Sequence, residues 1–122
     1  MTIVCVDDHP VMLRGLTKSL RKLSPNAEIK TFGCAEDALK FIRQNGCDVL
    51  IPEIELYGMD GLTLAKQVKQ INPKVNIIFL TVCDEREHAK EVFRLKPSGY
   101  LVKPANPEQL EIELTNLRYF AS

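Results

Sequence analysis

The sequence has no net charge, no long apolar run and no closely spaced pair of cysteines. Its 16 basic and 16 acidic side chains cancel at pH 7. Nucleic-acid binding needs a basic surface, so the cancelled charge argues against direct binding of DNA or RNA by this domain. No apolar run approaches the ~20 residues that a membrane-spanning helix needs, which predicts that the chain does not cross a membrane.

The four cysteines follow no pattern of a disulfide framework or a metal site. Cys5, Cys34, Cys47 and Cys83 form no C-x-x-C pair and do not stand at the spacing of zinc ligands. We therefore interpret them as reduced thiols of a cytoplasmic protein. The first residues contain no basic segment followed by a cleavage site, so they do not indicate a signal peptide.

What the sequence does contain is an alternation of short β-branched runs with amphipathic runs. The predicted strands are Ile3–Val6, Ile29–Phe32, Val49–Ile51, Ile77–Thr81 and Tyr100–Val102. The predicted helices are Val11–Leu23, Ala35–Gln44, Leu62–Ile71, Glu85–Leu95 and Pro107–Tyr119. Such alternation indicates parallel β-α-β units with right-handed crossovers, hence a doubly wound α/β fold. A length of 122 residues fits one domain, 1–122.

Polar residues stand at the ends of four of the five predicted strands. Asp7 and Asp8 follow the first strand, Glu53 follows the third, Thr81 ends the fourth and Lys103 follows the fifth. In a doubly wound sheet these ends meet at one edge, where ligands bind. Clustered carboxylates, here Asp7, Asp8 and Glu53, favour a hard cation such as Mg²⁺. A lysine and a hydroxyl suit phosphoryl oxygens, so the set predicts a phosphoryl-transfer site.

These residues, with the loop Gly58–Gly61 and Lys103–Pro104, resemble the bacterial response-regulator receiver domain, the CheY-like family, over essentially the whole chain. The resemblance implies a (βα)5 flavodoxin-like three-layer sandwich whose parallel sheet has the order 2-1-3-4-5. It implies Mg²⁺ binding at Asp7 and Asp8, a switch hydroxyl at Thr81 and an output aromatic at Tyr100.

The resemblance also implies partners. We expect a sensor histidine kinase or another signalling protein, and a homodimer formed through the fourth helix, fifth strand and fifth helix. The sequence pattern of residues 85–119 resembles that of receivers that carry a LytTR-type DNA-binding domain. We expect no enzyme activity beyond receiver-type autophosphorylation and dephosphorylation.

Three residues depart from the family pattern. Glu53 stands where the family has its phosphoacceptor aspartate, Tyr57 replaces a common proline, and Pro52 lies in a strand expected to be central. Proline removes a donor of the strand ladder, so it suits only the end of such a strand. Glutamate is one methylene longer than aspartate, so its carboxylate is displaced by ~1 Å. Such a displacement can lower the rate of a reaction between positioned groups on the order of 10²-fold.

Three interpretations remain open. The chain is a pseudo-receiver that signals through protein contacts, with Glu53 extending toward Lys103 and imitating part of a phosphoryl charge. Alternatively it is a working Mg²⁺-dependent receiver that controls a DNA-binding effector domain. A flavodoxin-like ligand binder is disfavoured, because no glycine-rich phosphate loop follows the first strand. We further expect Asp8 to cap the first helix, and Cys83 to be an inert thiol near the site.

Overall fold

The computed structural model describes residues 1–119, apart from the side chain of Glu85. Its strands are β1 (Thr2–Val6), β2 (Glu28–Phe32), β3 (Val49–Pro52), β4 (Asn76–Thr81) and β5 (Gly99–Val102). Its α-helices are α1 (Pro10–Leu23), α2 (Ala35–Asn45), α3 (Gly61–Ile71), α4 (Ala89–Leu95) and α5 (Pro107–Thr115). A short 3₁₀ helix, Glu85–His88, precedes α4. None of the helices within the described residues is both long and apolar enough to cross a membrane.

The five strands form one parallel sheet in the order β2-β1-β3-β4-β5, which confirms the predicted topology. The chain runs outward from β1 to β2, returns to β3 beside β1, and then continues to β4 and β5. The order therefore reverses between β1 and β3, and in open α/β sheets ligands bind at the carboxyl ends of the strands at such a reversal.

The sheet is buried on both faces, as the apolar run in β4 predicts. Ile77 and Phe79 belong to the core under α2, α3 and α4. Ile78 and Leu80 belong to the core under α1 and α5. Successive side chains of a strand point to opposite faces, so a strand between two helical layers is apolar at every position. The predicted three-layer sandwich is confirmed.

Most predicted helix ends are confirmed. Asn106 and Gln109 form a reciprocal capping box at α5, and Pro10 occupies the first turn of α1. The prediction that Asp8 caps α1 is wrong, because the capping position is His9 and no side chain bonds the free N–H groups there. Asp8 instead accepts a long hydrogen bond of 3.4 Å from the Tyr57 N–H.

The fourth helix begins later than predicted. Residues 85–88 form a tight 3₁₀ turn, and the α-helix begins only at Ala89. The side chain of Asp84 accepts hydrogen bonds from the Arg86 N–H at 2.8 Å and from the Arg86 guanidinium at 3.0 and 3.1 Å. These local bonds stabilise the turn that replaces the first predicted helical turn.

The fifth helix ends earlier than predicted, at Thr115 instead of Tyr119. The buried Asn76 draws the chain back to the sheet, since its Oδ1 accepts the Tyr119 N–H at 2.7 Å and its Nδ2 donates to the Tyr119 carbonyl at 2.8 Å. Leu110, Leu114 and Leu117 still pack against the core, as their spacing predicts.

Gly61 begins α3 directly against the backbone of Glu53. A Cβ atom at Gly61 would lie 2.0 Å from the Glu53 carbonyl oxygen, and no side-chain rotation relieves such a contact. We expect Gly61→Ala to lower the free energy of unfolding by about 1–3 kcal/mol, measured by urea denaturation.

Gly15 is the matched control for this substitution. It lies in the exposed interior of α1, where an added Cβ meets no atom within 4 Å among the described residues. Gly15→Ala should raise the free energy of unfolding by about 0.5–1 kcal/mol, because alanine is the better helix former. Equal stabilities of the two variants would contradict the proposed close approach of α3 to Glu53.

Candidate functional site

The ends of four strands bring the predicted polar residues together at one edge of the sheet. Hydrogen bonds of the main chain fix their positions: Asp7 N–H donates to Phe32 O at 3.1 Å, Glu53 N–H to Val6 O at 2.9 Å, and Lys103 N–H to Thr81 O at 2.7 Å. The side chains of Asp7, Glu53 and Thr81 are buried. The predicted convergence of these residues is confirmed.

Pro52 is accommodated because the ladder on one side of β3 ends before it. Pairing between β3 and β4 covers Val49 and Leu50, whereas pairing with β1 continues to Pro52 opposite Val6. The following N–H, that of Glu53, donates toward β1. Pro52 therefore lies at the end of the strand, as its missing donor requires.

The carboxylate of Glu53 is only 2% exposed and both its oxygens are engaged. Its Oε1 accepts from Lys103 Nζ at 2.9 Å and from Val82 N–H at 3.2 Å. Its Oε2 accepts from the Thr81 hydroxyl, from the Ile54 N–H at 2.7 Å and from the Glu55 N–H at 3.2 Å. The expectation that Glu53 extends toward Lys103 is confirmed. Three of these donors are main-chain groups, which residue types in the sequence do not reveal.

Lys103 joins two buried carboxylates. Its Nζ lies 2.5 Å from Asp7 Oδ2 and 2.9 Å from Glu53 Oε1, and its side chain is only 9% exposed. Burial lowers the pKa of Lys103, but the hydrogen bonds and charges of Asp7 and Glu53 outweigh burial, so the pKa is raised. The stabilisation from this raised pKa is fully present below the ordinary lysine value of 10.5 and is lost as the pH rises through the raised value.

The acidic pair forms a second group beside the lysine. His9 Nδ1 lies 3.0 Å from both Asp7 Oδ1 and Asp8 Oδ1, and the ligand atoms of the three residues all lie within 4.8 Å of one another. Mg²⁺ commonly keeps several waters and is held by one or two carboxylates, so Asp7 and Asp8 fit this cation. Glu53 is not in this group of the described residues, and its role as a third cation ligand stays a prediction.

A continuous chain of hydrogen bonds leads from Glu53 to Tyr100. The Thr81 hydroxyl donates to Glu53 and accepts the Cys83 N–H at 3.2 Å. The Cys83 carbonyl in turn accepts the Tyr100 hydroxyl at 2.9 Å, and the Tyr100 ring packs on Phe79 with centroids 5.6 Å apart. Burial raises the pKa of the Cys83 thiol. The participation of the Cys83 main chain could not be inferred from residue type.

Five parallel strands in this order, with an acidic pair, a threonine and a lysine at one edge, define the CheY-like receiver fold. The family model of the response regulator receiver domain matches residues 3–115, so the chain belongs to this family. The resemblance inferred from the sequence is confirmed. Receiver domains are the regulatory modules of two-component response regulators, which are signalling proteins.

Several known proteins are similar to the chain. Response regulator UvrY of Escherichia coli K12 is 29% identical over 126 residues, which cover 100% of this chain and 58% of UvrY. Transcriptional regulatory protein YpdB of the same organism is 31% identical over 104 residues, covering 85% of this chain and 42% of YpdB. The solved response regulatory domain of MrkE from Klebsiella pneumoniae has a TM-score of 0.86 at 30% identity, covering 96% and 94% of the two chains. The chain thus spans about half the length of the curated relatives.

Removal of the Lys103 charge should destabilise the fold strongly. Lys103→Met keeps most of the unbranched side chain but leaves the carboxylates of Asp7 and Glu53 buried without their cation. Loss of one partner from a buried ion pair costs about 3–5 kcal/mol, and we expect a decrease of that size in the free energy of unfolding at neutral pH.

Lys66→Met is the control for loss of a lysine charge. Lys66 forms a half-exposed ion pair of 3.0 Å with Glu91, and its loss should cost at most about 1 kcal/mol. Both values are measured by urea denaturation followed by circular dichroism. A similar small loss in the two variants would show that Lys103 does not hold the two carboxylates in place.

Proposed function

We propose that this chain is a pseudo-receiver: a regulatory domain of a two-component response regulator that signals through protein contacts without phosphoryl transfer to Glu53. The observation that carries the proposal is the engagement of both Glu53 oxygens by hydrogen-bond donors of the chain itself. A phosphoacceptor needs an oxygen that is free to attack phosphorus. It also needs donors that are free to receive the phosphoryl oxygens.

Glu53 uses the groups that the family resemblance assigns to the phosphoryl group. Lys103 and the Thr81 hydroxyl both contact its carboxylate. The additional methylene of glutamate brings the carboxylate within reach of these donors. The imitation of a phosphoryl group is incomplete, because a carboxylate carries one negative charge and a phosphoryl group nearly two.

Mg²⁺ is a proposed ligand of the acidic pair. Receiver domains generally bind Mg²⁺ at the phosphorylation site. In this chain Asp7 and Asp8 would hold the cation, which would neutralise charge at the edge of the sheet. His9 contacts both carboxylates, but its side chain is 67% exposed and can therefore turn aside into solvent.

The phosphorylation test uses acetyl phosphate with millimolar Mg²⁺. We expect the wild-type chain to show no phosphoryl adduct by intact-protein mass spectrometry, because both oxygens of Glu53 already accept hydrogen bonds from the chain. Glu53→Asp withdraws the carboxylate by about one bond length and releases Lys103 and Thr81, so this variant should gain one phosphoryl group per chain.

Glu53→Gln is the matched control, since it preserves size but removes the charge. It should remain unmodified under the same conditions, because an amide is not a phosphoacceptor. A stable stoichiometric phosphoryl adduct at Glu53 of the wild-type chain would contradict the proposal. If Glu53→Asp binds Mg²⁺ but gains no phosphoryl group, the inactivity is caused by the neighbouring Pro52 or Tyr57 instead.

A working Mg²⁺-dependent receiver is the second candidate. The observation in its favour is that the acidic pair and Lys103 stand together at the edge of the sheet. In that case Glu53, or a different carboxylate, would accept the phosphoryl group and control a downstream DNA-binding effector. The mass measurement on the wild-type chain separates the two candidates.

The proposed partners are a sensor histidine kinase or another signalling protein, in the cytoplasm. UvrY is a response regulator and YpdB a transcriptional regulatory protein, and the chain covers only part of each. We propose that any contact with DNA is made by another domain, because the net charge of this chain is zero.

A homodimer through α4, β5 and α5 is also proposed. Phe93 on α4 is 82% exposed, and Val102 on the edge strand β5 is exposed as well. Large aromatic side chains often provide the central contacts of protein interfaces. This face would bury Phe93 against a second copy of the chain.

Phe93→Glu tests the dimer, because a charge in an apolar interface prevents association. We expect sedimentation velocity to show a concentration-dependent dimer for the wild-type chain, and a dissociation constant at least about 30-fold weaker for the variant. Tyr57→Ser is the control: Tyr57 is 93% exposed but lies on the β3–α3 loop, so its loss should leave association unchanged. Equal association of Phe93→Glu and wild type would exclude this face.

A further inference from the structure

A second cluster of metal-ligating side chains lies outside the Glu53 pocket, where β4 leads into α4. Its members are Cys83, Glu87 and His88, and the thiol, carboxylate and imidazole ligand atoms all lie within 4.8 Å of one another. We propose that this cluster binds a transition-metal cation of the Zn²⁺ type. The proposal stands on this geometry and does not depend on whether Glu53 accepts a phosphoryl group.

The donor set selects the class of cation. Sulfur and imidazole nitrogen are ligands of Zn²⁺ and of the later first-row transition metals, whereas Mg²⁺ and Ca²⁺ take oxygen ligands. The Asp7–Asp8 pair offers hard oxygens, so the two clusters differ in the cations that they attract. Three protein ligands leave one position of a tetrahedral Zn²⁺ for water.

Two of the three residues, Glu87 and His88, are accessible to a cation from solvent. Cys83 is buried, and its main chain is held by bonds to Thr81 and Tyr100. Glu87 is exposed and His88 is half-buried, so both side chains have room to turn. Zn²⁺ bond lengths of about 2.0–2.3 Å require ligand atoms roughly 3.3–3.8 Å apart in a tetrahedron. Small rotations of Glu87 and His88 can supply this contraction.

The local charges favour a cation. Burial raises the pKa of the Cys83 thiol, and the negative charge and hydrogen bond of Glu55 raise it further. The guanidinium of Arg86, in the same 3₁₀ turn, is bound by Asp84 at 3.0 Å. Binding would displace the Cys83 thiol proton to solvent and form a sulfur–metal bond.

Occupancy would connect the segment after β4 with the 3₁₀ turn before α4. Cys83 belongs to the segment that supplies the Thr81 hydroxyl and the Val82 N–H to Glu53. Glu87 and His88 belong to the 3₁₀ turn before α4. A bound cation would therefore tie the start of α4 to the segment between the Glu53 pocket and Tyr100.

Co²⁺ is the spectroscopic probe for the test. We expect titration of the reduced full chain with Co²⁺ to give a 1:1 complex with thiolate-to-metal charge-transfer absorption and the visible bands of tetrahedral Co²⁺. Zn²⁺ should abolish these bands by displacement, whereas Mg²⁺ should not. Absence of thiolate absorption would overturn the proposal.

Variants assign the ligands. Cys83→Ser should remove the charge-transfer absorption, and Glu87→Gln and His88→Ala should each weaken Co²⁺ binding at least about 10-fold. Glu87 is exposed, so its substitution tests the site without disturbing the core. Cys34→Ser is the control and should bind Co²⁺ as the wild type does. Thiolate absorption that persists in Cys83→Ser, or disappears in Cys34→Ser, would contradict the assignment.

Discussion

The ammonium group of Lys103 lies between the carboxylates of Asp7 and Glu53, and the edge of the sheet depends on this contact. Two buried carboxylates so close together repel each other, and each carries a cost for loss of water. The lysine offsets both effects and fixes the ends of β1, β3 and β5 relative to one another. Glu53 in turn fixes Thr81, so the fourth strand is held by the same group of charges.

The fold and the location of the site could be predicted because they depend on patterns that are repeated along the chain. The apolar run of β4 predicts a strand covered on both faces, and the residues after β1, β3 and β5 predict a polar edge. The start of α4 and the C-terminal end of α5 could not be predicted. They depend on Asp84 binding Arg86 and on Asn76 binding Tyr119, 43 residues away, and helical periodicity contains no information on either contact.

Within the site, side-chain identities could be predicted but their hydrogen-bond partners could not. The sequence indicates that Glu53 meets Lys103, because both follow strands that end at the same edge of the sheet. It does not indicate that the N–H groups of Ile54, Glu55 and Val82 also donate to the carboxylate. Every residue type except proline has such a donor, so only the path of the backbone decides which ones reach Glu53.

The carboxylate of Glu53 is part of the chain, whereas a phosphoryl group on an aspartate is held as a mixed anhydride, which water hydrolyses. Lys103 and Thr81 therefore contact an anion that has no hydrolytic lifetime. If the proposed function holds, no hydrolysis step ends the state of the domain, which then lasts as long as the molecule itself. Control would then depend on quantities outside the pocket: the amount of protein made, its rate of degradation and the occupancy of its binding surfaces.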